Sequence, residues 1–325
     1  MAAKQTGAAG KQRDLGLDNI RALLIFLVVF CHLCELFHGK ITDRLYLIIY
    51  SFHMPCFLFL SGYFARFNAK KVAKHLLLPY AVFQVLYNLF ECYVLNPGTV
   101  FELQFTYPYW IMWYLLALFF CYMLIPLLET QKRWVAAGIL LVLTALALLA
   151  GTDRLMGFTM TLSRTAVFLP CFFLGHYAGT VFAPGFVGRL RRFRVLLVLS
   201  MVGVVVYAVY AVQAPLPIKL LYGSYSYAKA GATPWMRLLT LAGAMAWMLL
   251  LICLMPNRQI PVISMIGQRT LPIFLLHGFC QRLLLKYSVF RYTELGNLLL
   301  ALGLTCAMLL VFSLKPIHWL FRKLF

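Results

Sequence analysis

Long apolar runs recur along the chain from Ile20 almost to its C-terminus, separated by short polar stretches. A membrane-spanning helix needs about 20 mostly apolar residues. The pattern predicts ten such helices, near 20–37, 46–65, 75–95, 109–128, 134–150, 165–182, 195–213, 237–255, 271–286 and 296–314. The fifth and ninth are the shortest. The chain therefore reads as all-α, a polytopic integral membrane protein. Residues 1–16 read as a flexible cytosolic tail and 17–325 as a single transmembrane domain. The first run is no secretory signal: it is too long, contains Arg21 and lacks a small-residue cleavage site.

Composition agrees. Of 325 residues, 63% are hydrophobic and 12% charged, against about 25% charged in soluble domains. A net charge of +20 raises the question of nucleic acid. The basic residues, however, fall in short clusters between the apolar runs, as the positive-inside rule produces, and nucleic-acid binding is set aside. With ten spans and both termini cytosolic, 18 Lys and Arg fall on the cytosolic side and 7 on the other. The nine cysteines lie mostly in apolar stretches. Cys31 and Cys34 stand three apart without a matching pair elsewhere, so neither a metal site nor a disulfide framework is expected. No internal repeat is evident, which counts against a secondary transporter.

Polar residues inside spans are costly and mark candidate sites. The first span carries Arg21 near its start and His32 eleven residues on; the second carries His53. The plainer reading is that Arg21 snorkels to the headgroups and the histidines bond between helices. Helix rise puts His32 roughly 12 Å and His53 roughly 10 Å below the outer face of the bilayer core. Two histidines on consecutive helices thus reach one level. Glu35 shares the helix face of His32 and either orients its imidazole or is an interfacial acid. Glu91 forms a polar stripe with Gln84 and Asn88. Arg164 enters the sixth span from outside, either to pair with Glu91 or to bind an anionic substrate. His277 lies mid-helix in the ninth span, and His176 reads as structural.

At the cytosolic side, Asp18, Asn19 and Arg21 face the cluster Arg66, Lys70, Lys71, Lys74 and His75. Such a cluster sets topology and touches anionic lipid, or holds cofactor phosphates. There is no Walker loop or GxGxxG fingerprint, so a nucleotide would be held by side-chain charge. Tyr107, Tyr109, Trp110, Trp113 and Tyr114 read as an interfacial aromatic belt. The loop Gln213 to Trp235 is a lid or acceptor-recognition loop, or a plain connector.

Arg21 and His32, with ten residues between, resemble the R-x10-H signature of the acyltransferase family three membrane proteins. FHMPCFLFLSGYF (Phe52 to Phe64), WYLLALFF (Trp113 to Phe120), SRTAVFLPCFFLG (Ser163 to Gly175) and IGQRTLPIFLLHG (Ile266 to Gly278) are similar to further blocks of that family. The nearest branch is fucose 4-O-acetylase-like, and the resemblance covers about residues 15 to 315. It implies ten transmembrane helices, a cytosolic acyl-CoA donor, commonly acetyl-CoA, and a glycan or other hydroxyl acceptor across the cell membrane. It also implies His32 as the essential catalytic residue and Arg21 as its functional partner. Where many members carry R-x-x-R, this chain has Lys71 and Lys74, which bind phosphate as point charges without the bidentate fork.

The expectation is O-acyl transfer, with His32 as general base. His53 orients it or donates to the tetrahedral oxyanion, and Glu35 supports it. Arg21, Asp18, Lys71 and Lys74 form the donor site, and Arg164, Glu91 and His277 contact the acceptor. Ser61 is a candidate nucleophile or a packing residue beside Gly62. No metal is expected, and the partners are acyl-CoA, the sugar acceptor and the bilayer. The alternative is a transporter or flippase for a glycan or lipid-linked sugar, with the same polar interior as its path.

Overall fold

A computed structural model of the protein describes residues 14–152, 157–181, 186–213 and 216–325. The expected tail up to residue 13 lies outside them, as do Arg154 and residues 214–215 of the long loop. Among the described residues every regular element is helical. Six helices are long and apolar enough to cross a membrane: Leu15–Cys34, Lys40–Phe64, Ala69–Leu95, Trp110–Leu128, Pro234–Leu254 and Glu294–Phe312. Arg133–Leu149 and Arg194–Ala208 are shorter apolar helices. Leu162–Thr180 and Thr270–Lys286 complete the expected set of helical segments. The first of these is diluted by Ser163, Arg164, Thr165 and His176, and the second is only 17 residues long. Length and hydropathy together thus pick out six of the ten expected spans among the described residues.

In chain order the helices are α1 (Leu15–Cys34), α2 (Lys40–Phe64), α3 (Ala69–Val72) and α4 (Leu78–Phe90), followed by α5 (Trp113–Leu128), α6 (Arg133–Leu149) and α7 (Leu162–Thr180). Then come α8 (Phe186–Arg192), α9 (Arg194–Gln213), α10 (Ile218–Leu221), α11 (Tyr227–Ala230) and α12 (Pro234–Leu254). The last four are α13 (Pro261–Gln268), α14 (Thr270–Lys286), α15 (Glu294–Phe312) and α16 (Lys315–Leu324). Two π-helical turns, Ala73–Leu77 and Glu91–Leu95, join α3 to α4 and extend α4.

Helix α1 is the hub, packed against α2, α13, α14 and α15. It starts before the apolar run because Asp14 caps it, accepting from the Leu17 amide at 3.1 Å. Arg191 of α8 holds the same carboxylate through both terminal nitrogens, each at 3.1 Å. Helix α2 likewise begins earlier than expected, at Lys40. Glu294 of α15 accepts from the amides of Ile41 and Thr42 at 2.8 and 2.7 Å, an acid supplied from another helix to satisfy orphan N–H groups.

The most extensive helix contact is that of α2 with α7. A Cβ at Gly62 would stand 1.9 Å from the Phe172 carbonyl oxygen, and one at Gly175 would stand 1.9 Å from that of Phe59. Small residues on both sides let the backbones meet, the packing mode of helices in lipid. The outer helices turn apolar side chains away from the bundle: Leu141 and Val142 on α6, Val195 and Val198 on α9, Leu295 and Leu299 on α15. Their exposure suits a bilayer and would be a liability in water.

The long loop is folded rather than loose. Leu216 from just before α10, Leu220 and Leu221 of α10, and Tyr227 of α11 form one apolar cluster with Tyr207. Ser163 donates to the Gly223 carbonyl at 2.8 Å, and the Tyr227 hydroxyl donates to that of Leu148 at 2.7 Å. These bonds strap the loop across the ends of α6 and α7, next to the site described below.

Candidate active site

His32 lies in the last turn of α1, and Glu35 follows directly as the capping residue. Their i, i+3 spacing brings His32 Nδ1 within 3.1 Å of Glu35 Oε1. The same oxygen accepts from the hydroxyls of Tyr46 at 3.0 Å and Tyr50 at 3.2 Å, one turn apart on α2. The Tyr46 hydroxyl also meets that of Tyr222 in the long loop, at 3.1 Å. A carboxylate held by several donors is fixed in place and in charge. It accepts the hydrogen bond of His32 Nδ1–H, and in the neutral ring the lone pair is then on Nε2.

His32 and His53 both line a small cavity of about 30 Å³, together with Tyr50, Trp113, Arg164 and Tyr222. The equal depth expected of the two histidines thus corresponds to one shared chamber. His53 Nδ1 is 2.7 Å from the Ile49 carbonyl oxygen, so that nitrogen must donate. In the neutral ring Nε2 is then an acceptor. The oxyanion-donor role expected of His53 would require a proton on Nε2 as well.

A second cavity, of about 600 Å³, extends from this chamber towards the other end of the bundle. Arg21, His75, Ser61, Tyr114 and Gln268 are among its lining residues. Val28, Met54 and Phe274 line both cavities and stand between them. Arg21 lies 4.0 Å above the Phe64 ring and 3.4 Å from the Asp18 carboxylate. Asp18 is buried and also accepts from Gln268 at 3.3 Å, which ties Arg21 to α13. Lys71 and Lys74 are exposed and outside the cavity lining; His75 is the member of that basic cluster which reaches it. Ser61 shares a hydrogen bond with the Tyr114 hydroxyl at 2.9 Å, in the large cavity rather than beside His32.

His277 stacks on His32 with ring centroids 5.5 Å apart, its Nδ1 donating to the Ile273 carbonyl at 3.1 Å. It lies outside the lining of the small chamber and backs the His32 ring. Trp110 meets His32 edge-on at 4.7 Å and carries the Arg282 guanidinium 4.7 Å above its ring. The Trp110 backbone has φ 30°, a left-handed geometry that costs about 1–3 kcal/mol and concentrates at functional sites. Gln281 Nε2 donates to the His32 carbonyl at 3.4 Å.

The expected pairing of Arg164 with Glu91 does not form. Glu91 accepts from the Tyr109 hydroxyl, and Arg282 lies 5.5 Å over the Tyr109 ring. Arg164 instead donates from Nε to the Tyr222 carbonyl at 3.0 Å, with its guanidinium 4.8 Å above Trp113. Residue patterns had put Trp110 in a lipid-facing belt and passed over Tyr46, Tyr50, Tyr222, Gln281 and Arg282. The Tyr46, Tyr50, His53 spacing along one face of α2 was the readable signal for two of them.

The arrangement is a carboxylate-supported imidazole with a free lone pair, lining a small chamber set off from a larger cavity by three apolar side chains. That is the machinery of a general base acting on a hydroxyl or water. Among curated proteins, the nodulation protein NolL of Sinorhizobium fredii (strain NBRC 101917 / NGR234) is 26% identical over 173 residues. The match covers 47% of this chain and 47% of that protein, about half the length of each. No solved structure matches the chain. A family model described as an acyltransferase domain matches residues 14–314 and contains the whole constellation. The chain belongs to acyltransferase family three.

Proposed function

We propose that the protein is a membrane O-acyltransferase that moves an acyl group, acetyl in the first instance, from cytosolic acyl-CoA to a hydroxyl of a glycan or other cell-envelope acceptor on the opposite side. The observation that carries this reading is the Glu35–His32 pair, with Nε2 free, facing a chamber that meets a larger cavity floored by Arg21 and His75. In this reading the bundle spans the cell membrane ten times with both termini cytosolic. The charge bias of the loops supports that orientation. CoA phosphates sit at the Arg21 and His75 end, with Lys71 and Lys74 attracting them from the surface.

The thioester passes Val28, Met54 and Phe274 to reach His32. His32 Nε2 takes the proton of the acceptor hydroxyl as its oxygen bonds to the thioester carbonyl carbon. The tetrahedral intermediate collapses, the C–S bond breaks, and the sulfur leaves with the proton that His32 returns. Glu35 stabilises the imidazolium formed between these two steps. His53 Nε2, an acceptor, takes a hydrogen bond from a neighbouring hydroxyl of the acceptor and so orients the attacking one.

The test uses purified protein in proteoliposomes given radiolabelled acetyl-CoA and glycan acceptors, comparing wild type with His32→Ala and Arg21→Ala. Label leaves CoA with the wild type and stays with both variants. Equal loss of thioester from all three would remove the reading. Movement of labelled glycan without any thioester loss would favour a transporter.

The hydroxyls on Glu35 make a finer prediction. Each donates a charge-assisted bond of about 1.5–3 kcal/mol. The pair Tyr46→Phe and Tyr50→Phe is expected to lower turnover about tenfold or more, since a loosened carboxylate no longer fixes the imidazole. Unchanged thiol release from acetyl-CoA by the double variant would show that the tyrosines only pack.

A further inference from the structure

A thioester attacked by a hydroxyl puts a full negative charge on the former carbonyl oxygen, and preorganised donors at that point supply the largest catalytic contribution. The small chamber is poor in them. His32 Nδ1–H is spent on Glu35 and His53 Nδ1–H on the Ile49 carbonyl, so both neutral rings offer lone pairs. The Tyr50 hydrogen is spent on Glu35, and the Tyr222 hydroxyl is shared with Tyr46. Met54, Val28 and Phe274 bring no polar hydrogen, and Trp113 brings one uncharged indole N–H.

Arg164 is the permanent cation on the chamber wall. Its Nε is committed to the Tyr222 carbonyl at 3.0 Å. Its terminal nitrogens make no hydrogen bond and no ion pair with a carboxylate among the described residues. Aromatic faces hold the guanidinium plane: Trp113 at 4.8 Å and Phe158 at 5.5 Å. A cation that is half-buried, stacked in a fixed plane and without a carboxylate partner among the described residues is matched to an anion that exists only during the reaction.

Resting on the acyltransferase reading above, we propose that Arg164 is a catalytic residue whose terminal N–H groups receive the thioester oxyanion opposite His32. As the hydroxyl oxygen bonds to the carbonyl carbon, the C=O π pair moves onto oxygen and is held by the guanidinium. When the C–S bond breaks the pair returns, and CoA leaves as a thiol with the proton from His32. Arg164 thus exchanges no proton. Its place in the strap also makes the long loop part of the chemistry: the Tyr222 carbonyl fixes the guanidinium, and the Tyr222 hydroxyl reaches the Tyr46 bound to Glu35.

The test measures thiol release from acetyl-CoA by the reconstituted full chain, with water as acceptor so that no glycan need be known. The variants are Arg164→Ala, Arg164→Lys and, as a reference for the base, His32→Ala. Loss of an oxyanion donor costs about 10²–10³-fold in kcat. Arg164→Ala should lose that much with KM for acetyl-CoA within a few-fold, and millimolar guanidinium should restore part of kcat. Arg164→Lys should fall between, keeping charge without the fork. Thermal unfolding in detergent checks that each variant is folded. A rise in KM with kcat unchanged would overturn the proposal in favour of a ground-state anion site. So would wild-type kcat in a folded Arg164→Ala. Wild-type release no faster than that of His32→Ala would instead remove the acyltransferase reading itself, and the proposal with it.

Discussion

His32→Ala is expected to abolish acyl transfer, by roughly 10²–10⁴-fold, the range lost with a general base, while the protein remains folded. The reasoning is geometric. The ring sits at the end of α1 and is 8% exposed, so its removal leaves a small void facing an existing cavity rather than a hole in packed core. Its backbone carbonyl still accepts from Gln281. Glu35→Gln should be milder and more informative. Glutamine can still accept from the two tyrosines and from Nδ1, but without the charge that balances the imidazolium. A fall of about 10–100-fold is expected, a fraction of the full general-base effect. Turnover by His32→Ala within a few-fold of wild type, in protein that elutes and melts normally, would exclude the imidazole as the base. Parallel loss of folding would return His32 to a packing role.

The second large effect is on assembly. Gly62→Val and Gly175→Val each place side-chain carbons where the partner backbone already stands, with the first carbon 1.9 Å from a carbonyl oxygen. No rotamer avoids that contact, because the clash is with Cβ itself. Overpacking of cores costs about 1–3 kcal/mol and more where backbone must move. Here two long helices must separate, and α2 carries Tyr46, Tyr50 and His53. Both variants should give little monodisperse protein in detergent, and what is recovered should melt well below wild type. Gly138→Ala on α6 is the control, since nothing lies within 4 Å of the Cβ it would add. Equal melting of Gly62→Val and Gly138→Ala would show that α2 and α7 do not meet as described.

Much of this arrangement was legible in the residues, and the limits have physical reasons. Histidine depth could be computed because helix rise is constant, and His32 with Glu35 could be paired because i, i+3 is a local relation. Arg164 could be flagged as costly but not assigned a partner. Its contacts come from Tyr222, Trp113 and Phe158, on three separate stretches of chain. Trp110 looked like any belt tryptophan, since composition at an interface is the same whether a ring faces lipid or a neighbouring imidazole. Lys71 and Lys74 drew attention as charges, yet the less conspicuous His75 reaches the cavity. Helix starts were placed late at Leu15 and Lys40 because their caps, Asp14 with Arg191 and Glu294, lie outside the apolar runs that mark a span.

The apolar partition between the two cavities also has a bioenergetic consequence. A membrane enzyme that takes its donor from one side and its acceptor from the other is at risk of becoming a wire, since a continuous file of water and titratable groups conducts protons down the membrane potential. Arg21, His75, His32 and His53 would be stations on such a file. Val28, Met54 and Phe274 break it with side chains that neither donate nor carry a proton. The reactive thioester end can press through a gap of that kind, whereas a hydrogen-bonded water chain is interrupted. Under the proposed function, the chemistry would therefore bridge the bilayer while the membrane stays electrically insulated.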